Sequence, residues 1–237
     1  GDRNHKTAVM ILKRTLLILL LISLLSLSCA RPGAVAEKQA SAIVYVALGD
    51  STGIGLGARN GGGYVERLFA RIEQKRSGST LTNLSAAGAT TADVVNKQLP
   101  QLEGRQATLV TVCIGINDLL RGSETQQFAE DYETLIAKLK QPGRLIVIAN
   151  LPDVTSAPAM KAMANESLRL RLEQFNKAIG EIAQRHAVLM VDLYKSSGET
   201  LGSHPEFFSP DGLHPSDLGY AQWAEAMWVV IEKAIQE

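Results

Sequence analysis

The sequence predicts an α/β fold, a doubly wound parallel sheet of five strands with helices on both faces. Three observations carry that expectation. Five short apolar runs, at residues 43–48, 81–86, 109–114, 145–149 and 188–191, have the length and composition of strands buried on both sides. Segments with apolar residues at three- and four-residue spacing separate them, and strands alternating with helices require crossover connections and parallel pairing. Polar, glycine-bearing turns follow the first three runs, where an open α/β sheet has its ligand crevice.

Ahead of the first strand, residues 1–36 read as a targeting segment and tether. Lys13 and Arg14 precede the leucine-rich stretch 15–27, too short to cross a bilayer comfortably, and Met10 has the look of an initiator. Leu27-Ser28-Cys29 resembles a bacterial lipobox, with Ser26 where that motif usually has leucine, and Ala34-Val35-Ala36 offers an ordinary cleavage site instead. Both routes, a membrane tether through Cys29 or the apolar segment and secretion after cleavage, put the domain outside the cytoplasm. Residues 31–40 have the composition of a flexible linker. The domain is expected over residues 41–237.

The 237 residues, 46% of them hydrophobic, suffice for a sizeable core. Formal net charge is zero and turns slightly acidic once the first 29 residues are set aside, which argues against nucleic acid as a main partner. Residues 64–75, 91–101, 123–140, 158–186 and 216 to the C-terminus read as helices, the second interrupted late by Pro100. In 123–140, Ser123 is placed to cap, Phe128, Tyr132, Leu135, Ile136 and Leu139 share one face, and Lys138 and Lys140 suit the C-terminal dipole. Ser216 is a natural cap for the last helix.

The chemistry starts at Gly49-Asp50-Ser51-Thr52-Gly53, directly after the first strand. A serine on a tight turn there exposes its hydroxyl to whatever enters the crevice, so Ser51 is the candidate nucleophile. A hydroxyl needs a base, an orienting acid and oxyanion donors. Ser209-Pro210-Asp211-Gly212-Leu213-His214-Pro215 supplies the first two: two intervening residues let Asp211 fold back onto the His214 imidazole. Gly88, after the second strand, allows close approach of a backbone N–H to an oxyanion, and the Asn117 amide, after the third, is a neutral donor. Each feature alone is an ordinary turn or cap. A doubly wound sheet gathers all four loops at one edge.

These residues resemble the four motif blocks of the GDSL, or SGNH, hydrolase family. The matches are Gly49-Asp50-Ser51, Asn83 through Gly88, Gly115-Ile116-Asn117-Asp118 and Asp211-Gly212-Leu213-His214-Pro215, in family order. The resemblance implies a flavodoxin-like three-layer α/β/α sandwich with no metal and no organic cofactor. It implies Ser51 as nucleophile, His214 as base and Asp211 as its orienter, with Ser51 N–H, Gly88 N–H and the Asn117 side chain as oxyanion hole. Thr52 stands where the namesake motif has leucine, which alters a pocket wall beside the nucleophile.

Around this centre, Asp50 and Thr52 flank Ser51, and residues 151–163, with Leu151, Pro152, Val154, Met160 and Met163, offer an apolar wall for an acyl chain. No insertion is large enough to act as a lid, which favours a shallow, open site for water-accessible esters, either lipid-like or acetylated glycans. A noncatalytic lipid- or carbohydrate-binding protein on the same fold is the alternative, and it predicts a lost triad member. The G-x-S-x-G elbow of α/β-hydrolases fits residues 49–53 only formally, because here the serine follows the first strand and Asp211 and His214 share one loop. The glycines of residues 53–57 mimic a nucleotide-binding fingerprint but do not open a helix, and read as a flexible rim. Cys113 reads as a buried hydrophobe, His204 as a surface or rim residue, His186 as a helix-ending residue suited to the dipole there, Asp192 as a second possible partner for a histidine, and Trp223 and Trp228 as core.

Overall fold

The computed structural model describes residues 41–198 and 204–236, so the targeting segment, Cys29 and the tether lie outside the described residues. Five strands form one sheet: β1 (Val44–Gly49), β2 (Thr80–Asn83), β3 (Leu109–Cys113), β4 (Leu145–Ala149) and β5 (Leu189–Val191). Their order is β2-β1-β3-β4-β5 and every neighbouring pair is parallel. This is the flavodoxin-like order, and its switch point lies between β1 and β3. The α/β class expected from the alternating runs is the one observed.

Among the described residues seven helices accompany the sheet: α1 (Tyr64–Lys75), α2 (residues 91–102), α3 (Ile116–Leu120), α4 (Thr125–Leu139), α5 (Glu166–His186), α6 (Leu193–Gly198) and α7 (Asp217–Gln236). Alternate residues of β1 enter opposite cores, as the two-residue period of a strand requires. Val46 and Leu48 pack with Val94, Phe128, Tyr132, Leu135, Phe175 and Ile179 beneath α2, α4 and α5. Tyr45 and Ala47 pack with Tyr64, Leu68, Tyr220 and Met227 beneath α1 and α7. The result is three layers. Phe128 stacks on Phe175 with ring centroids 4.2 Å apart, joining α4 to α5.

Local chemistry explains where the boundaries differ from the sequence reading. The second strand ends at Asn83 because the Asn83 side chain turns the chain: its Nδ2 donates to the Gly53 carbonyl (2.7 Å) and its Oδ1 accepts from Ser85 N–H (3.1 Å). Ser123 does not cap α4. Its N–H donates to the Asp118 carbonyl and its own carbonyl accepts from Arg171, which leaves Glu124 at the cap without a side-chain bond. The long helix starts at Glu166, not at 158. Residues 154–160 form two 3₁₀ turns, the second opened by Pro158, and Asn165 caps α5 by accepting from Leu168 N–H. The short helices α3 and α6 were not anticipated. Ser216 does cap α7, its Oγ accepting from Gly219 N–H at 3.3 Å.

Leu135 is fully buried where α4 meets the sheet. Leu135→Ala is expected to destabilise the domain by about 2–5 kcal/mol, read as a lowered urea midpoint with an unchanged denaturant slope.

Candidate active site

Ser51 stands one turn beyond β1. Asp50 beside it is 2% exposed, and its Oδ1 accepts from both the N–H (2.9 Å) and the hydroxyl (2.8 Å) of Thr52. Burial pushes the Asp50 carboxyl up, against the downward pull of the Thr52 bonds. Asp50 and Thr52 therefore lock the turn that carries Ser51, and both also reach the cavity. On the far side, Ser51 Oγ lies 2.9 Å from His214 Nε2, and His214 Nδ1 lies 2.7 Å from Asp211 Oδ2. Residues 163 positions apart in sequence meet here in one hydrogen-bonded line.

The Asp211 carboxylate is shaped by its own loop. Desolvation pushes its carboxyl up, but the N–H groups of Leu213 (2.8 Å) and His214 (2.9 Å), the His214 ring and Ser209 together outweigh that and hold it well below the usual carboxylate range. An ionised carboxylate only accepts, so Nδ1 of His214 carries the proton and Nε2 is left to accept from Ser51. Ser209 N–H closes the loop on the His214 carbonyl (2.8 Å), and Ala159 N–H donates to the Gly212 carbonyl (2.9 Å), fixing the loop to the segment after β4.

Gly88 and Asn117 border the same cavity as Ser51. Gly88 has φ +72°, and its carbonyl accepts from Arg121 Nη2 at 2.8 Å. Asn117 sits in the first turn of α3, and one of its two amide N–H groups donates to the Ala89 carbonyl (2.9 Å), leaving the second available. Asp118, which stands in the third motif block without a role assigned from sequence, has a buried carboxylate that takes the Thr91 N–H at 2.9 Å and so ties the loop after β3 to the start of α2. Burial pushes its carboxyl above the usual carboxylate range. A carboxylate after Asn117 at a strand end was the available signal, and turn chemistry masked it.

A cavity of about 500 Å³ surrounds Ser51, within the range of small-molecule sites. Of the anticipated wall, Pro152, Val154 and Ala157 line it. Leu151 and Met160 instead turn into the core and Met163 is 57% exposed to solvent, because the 3₁₀ turns reverse the chain before the wall extends that far. Trp223, expected in the core, lines the cavity while stacking on Tyr64 at 5.4 Å. Asp192 serves Asn150 and the start of α6, not a histidine. His204 pairs with Glu206, and His186 with Glu133. Burial pushes the Cys113 thiol up to about 12, as suits a small core residue. Among the described residues no cluster of His, Cys, Asp or Glu is placed to hold a metal ion.

A serine hydroxyl, an imidazole and a carboxylate aligned at the switch point of a doubly wound sheet define a serine hydrolase. The chain belongs to the GDSL-like lipase/acylhydrolase family, whose pattern matches residues 47–222. It is similar to esterase TesA of Pseudomonas aeruginosa, 23% identical over 82% of this chain and 90% of that protein. It is also 25% identical to the GDSL-like esterase Rv1075c of Mycobacterium tuberculosis, over 80% of this chain and 62% of that longer protein. Among solved structures, TesA superposes with a TM-score of 0.68 at 20% identity, covering 80% of this chain and 98% of TesA. The acetylxylan esterase Axe2 of Geobacillus stearothermophilus gives 0.67 at 20% identity, covering 82% and 96%. The chain is thus a serine hydrolase of the ester-cleaving kind.

The glycine-rich turn after Ser51 braces this site and is not a loose rim. A Cβ at Gly57 would lie 2.6 Å from the Pro215 carbonyl and 3.0 Å from His214 Cβ, and φ there is +97°. Asp217 accepts from Arg59 and Asn60 N–H, and Tyr220 Oη donates to the Leu56 carbonyl at 2.7 Å, clamping the turn to α7. Gly57→Ala is expected to push the His214 loop away and lower kcat by about tenfold to a hundredfold, in a protein whose circular dichroism is unchanged.

Proposed function

We propose that this chain hydrolyses carboxylic esters through an acyl-enzyme, with Ser51 as nucleophile, His214 as general base and Asp211 as its orienting acid. The observation that carries the reading is the unbroken line Asp211–His214–Ser51. Ser51 Oγ attacks the ester carbonyl as its proton passes to His214 Nε2, and the ionised Asp211 stabilises the imidazolium. The oxyanion is held by the N–H groups of Ser51 and Gly88 and the free amide N–H of Asn117. Collapse expels the alcohol, which takes the proton from Nε2. Water then gives a proton to His214 as its oxygen attacks the acyl carbon, and collapse breaks the bond to Ser51 Oγ, which takes the proton back from Nε2 as the acid leaves.

The cavity supports a substrate with an acyl chain of several carbons over an acetylated glycan. Ile116, Leu120, Val154, Ala157, Phe207 and Phe208 border it, a largely apolar lining that an acetyl group would leave unused. A charged-then-apolar leader supports action outside the cytoplasm, either tethered through Cys29 or released. Among the described residues no helix is long and apolar enough to cross a membrane.

Initial rates on p-nitrophenyl esters test the reading. Ser51→Ala is expected to lose several orders of magnitude. Asn117→Ala is expected to lose about a hundred- to a thousandfold in kcat, and a loss under about fivefold would mean the amide serves another purpose. Specificity should rise from acetyl to hexanoyl or octanoyl esters, whereas an optimum at acetyl would assign the site to acetylated substrates. Because Asp211 stays ionised far below neutral pH, it should add no proton of its own to the acid limb of kcat/KM, which should have the slope of one proton. A limb with the slope of two protons would contradict that arrangement.

A further inference from the structure

Gly49 closes β1 two residues ahead of Ser51, on the side from which β2 has already departed. Leu84 and Ala86, beyond the end of β2, still send their N–H groups to the carbonyls of Ala47 and Gly49 at 2.9 and 3.1 Å. The Gly49 N–H is taken by a side chain. Gln98 Oε1 accepts it at 3.0 Å, while Gln98 Nε2 donates to the Gly49 carbonyl at 2.8 Å. One side-chain amide thereby supplies the acceptor that a continuing strand would have presented to the Gly49 N–H, and adds a second donor to the Gly49 carbonyl beside the Ala86 N–H.

Two features show that this contact is built into the fold. Gln98 is 3% exposed, so its amide has no access to bulk water as an alternative partner. It also ends a π turn, Val94–Gln98, closed by the Leu99 N–H on the Val94 carbonyl. The wider turn leaves Val94 and Gln98 both buried against the sheet, and such turns recur at functional sites. No side chain on Gly49 could do the same work, because a Cβ there would lie 2.6 Å from the Cys113 carbonyl.

We propose that Gln98 is a positioning residue for catalysis: by holding the end of β1 it sets the placement of Ser51 Oγ and Ser51 N–H. The inference rests on Ser51 being the nucleophile. Gln98 is not among the residues that border the cavity, so its loss should act on turnover and leave substrate affinity alone.

Gln98→Met keeps length and volume but removes both hydrogen bonds. It is expected to lower kcat by about tenfold to a hundredfold with KM within about twofold of the parent. The rate at which a fluorophosphonate labels Ser51 should fall by the same factor. Gln98→Glu supplies a second readout that does not depend on the first variant folding. As a neutral acid it can donate to the Gly49 carbonyl and accept from the N–H, and once ionised it sets a negative charge against that carbonyl. Its kcat relative to the parent should therefore recover at low pH and decline as pH rises, while the Gln98→Met ratio stays flat. A folded Gln98→Met protein with parental kcat, or a Gln98→Glu ratio independent of pH, would overturn the proposal. Turnover retained by Ser51→Ala would instead remove the nucleophile assignment beneath it.

Discussion

Everything at this site depends on where β1 stops. A strand flanked on both sides and covered on both faces is the most rigid element of a doubly wound fold, and its last residue is a rigid place to mount a reactive group. Here the stop is abrupt. Gly49 lies within the sheet in register with Cys113, Asp50 is buried with its carboxylate turned back on Thr52, and Ser51 emerges at the switch point. The hydroxyl inherits its position from the core instead of from a mobile loop.

The second half of the arrangement is how a loop near the C-terminus is delivered to that serine. Asp211 and His214 organise each other locally, through the Asp211 carboxylate and the N–H groups of residues 213 and 214. Three separate contacts then dock the pair: Ala159 on Gly212, Gly57 against Pro215 and His214, and Asp217 on the backbone of residues 59 and 60. The close approach at Gly57 is a steric constraint. It holds the imidazole against the turn that carries its partner.

The carboxylates around the site divide the labour. Asp50 and Asp118 are buried, pushed up by desolvation, and hold backbone turns by accepting N–H groups. Asp211 is pulled down by the donors around it and stays charged beside the imidazole. Desolvation on its own would push that carboxyl up, and the surrounding N–H groups reverse that effect.

Much of this was legible in the sequence, for physical reasons. Apolar runs of strand length separated by helical periodicity determine the α/β class, since each pattern matches the repeat of one backbone geometry. Ser51, Gly88, Asn117, Asp211 and His214 were legible because residues of that chemistry stood just past strand ends or on a proline-flanked loop, where a parallel sheet collects them. Leu151, Met160, Ser123 and the start of α5 were misplaced, because each depends on which way a short turn or a bonded side chain sends the chain. Gln98 shows the limit most clearly. In sequence it is one polar residue in a helical stretch, and nothing local distinguishes it from a solvated one. Only the tertiary structure decided that β2 would leave early, that a π turn would face the sheet, and that one amide would meet the two backbone groups of Gly49. Such pairings join residues 49 positions apart, and hydrogen bonds between distant segments have no signature in local composition.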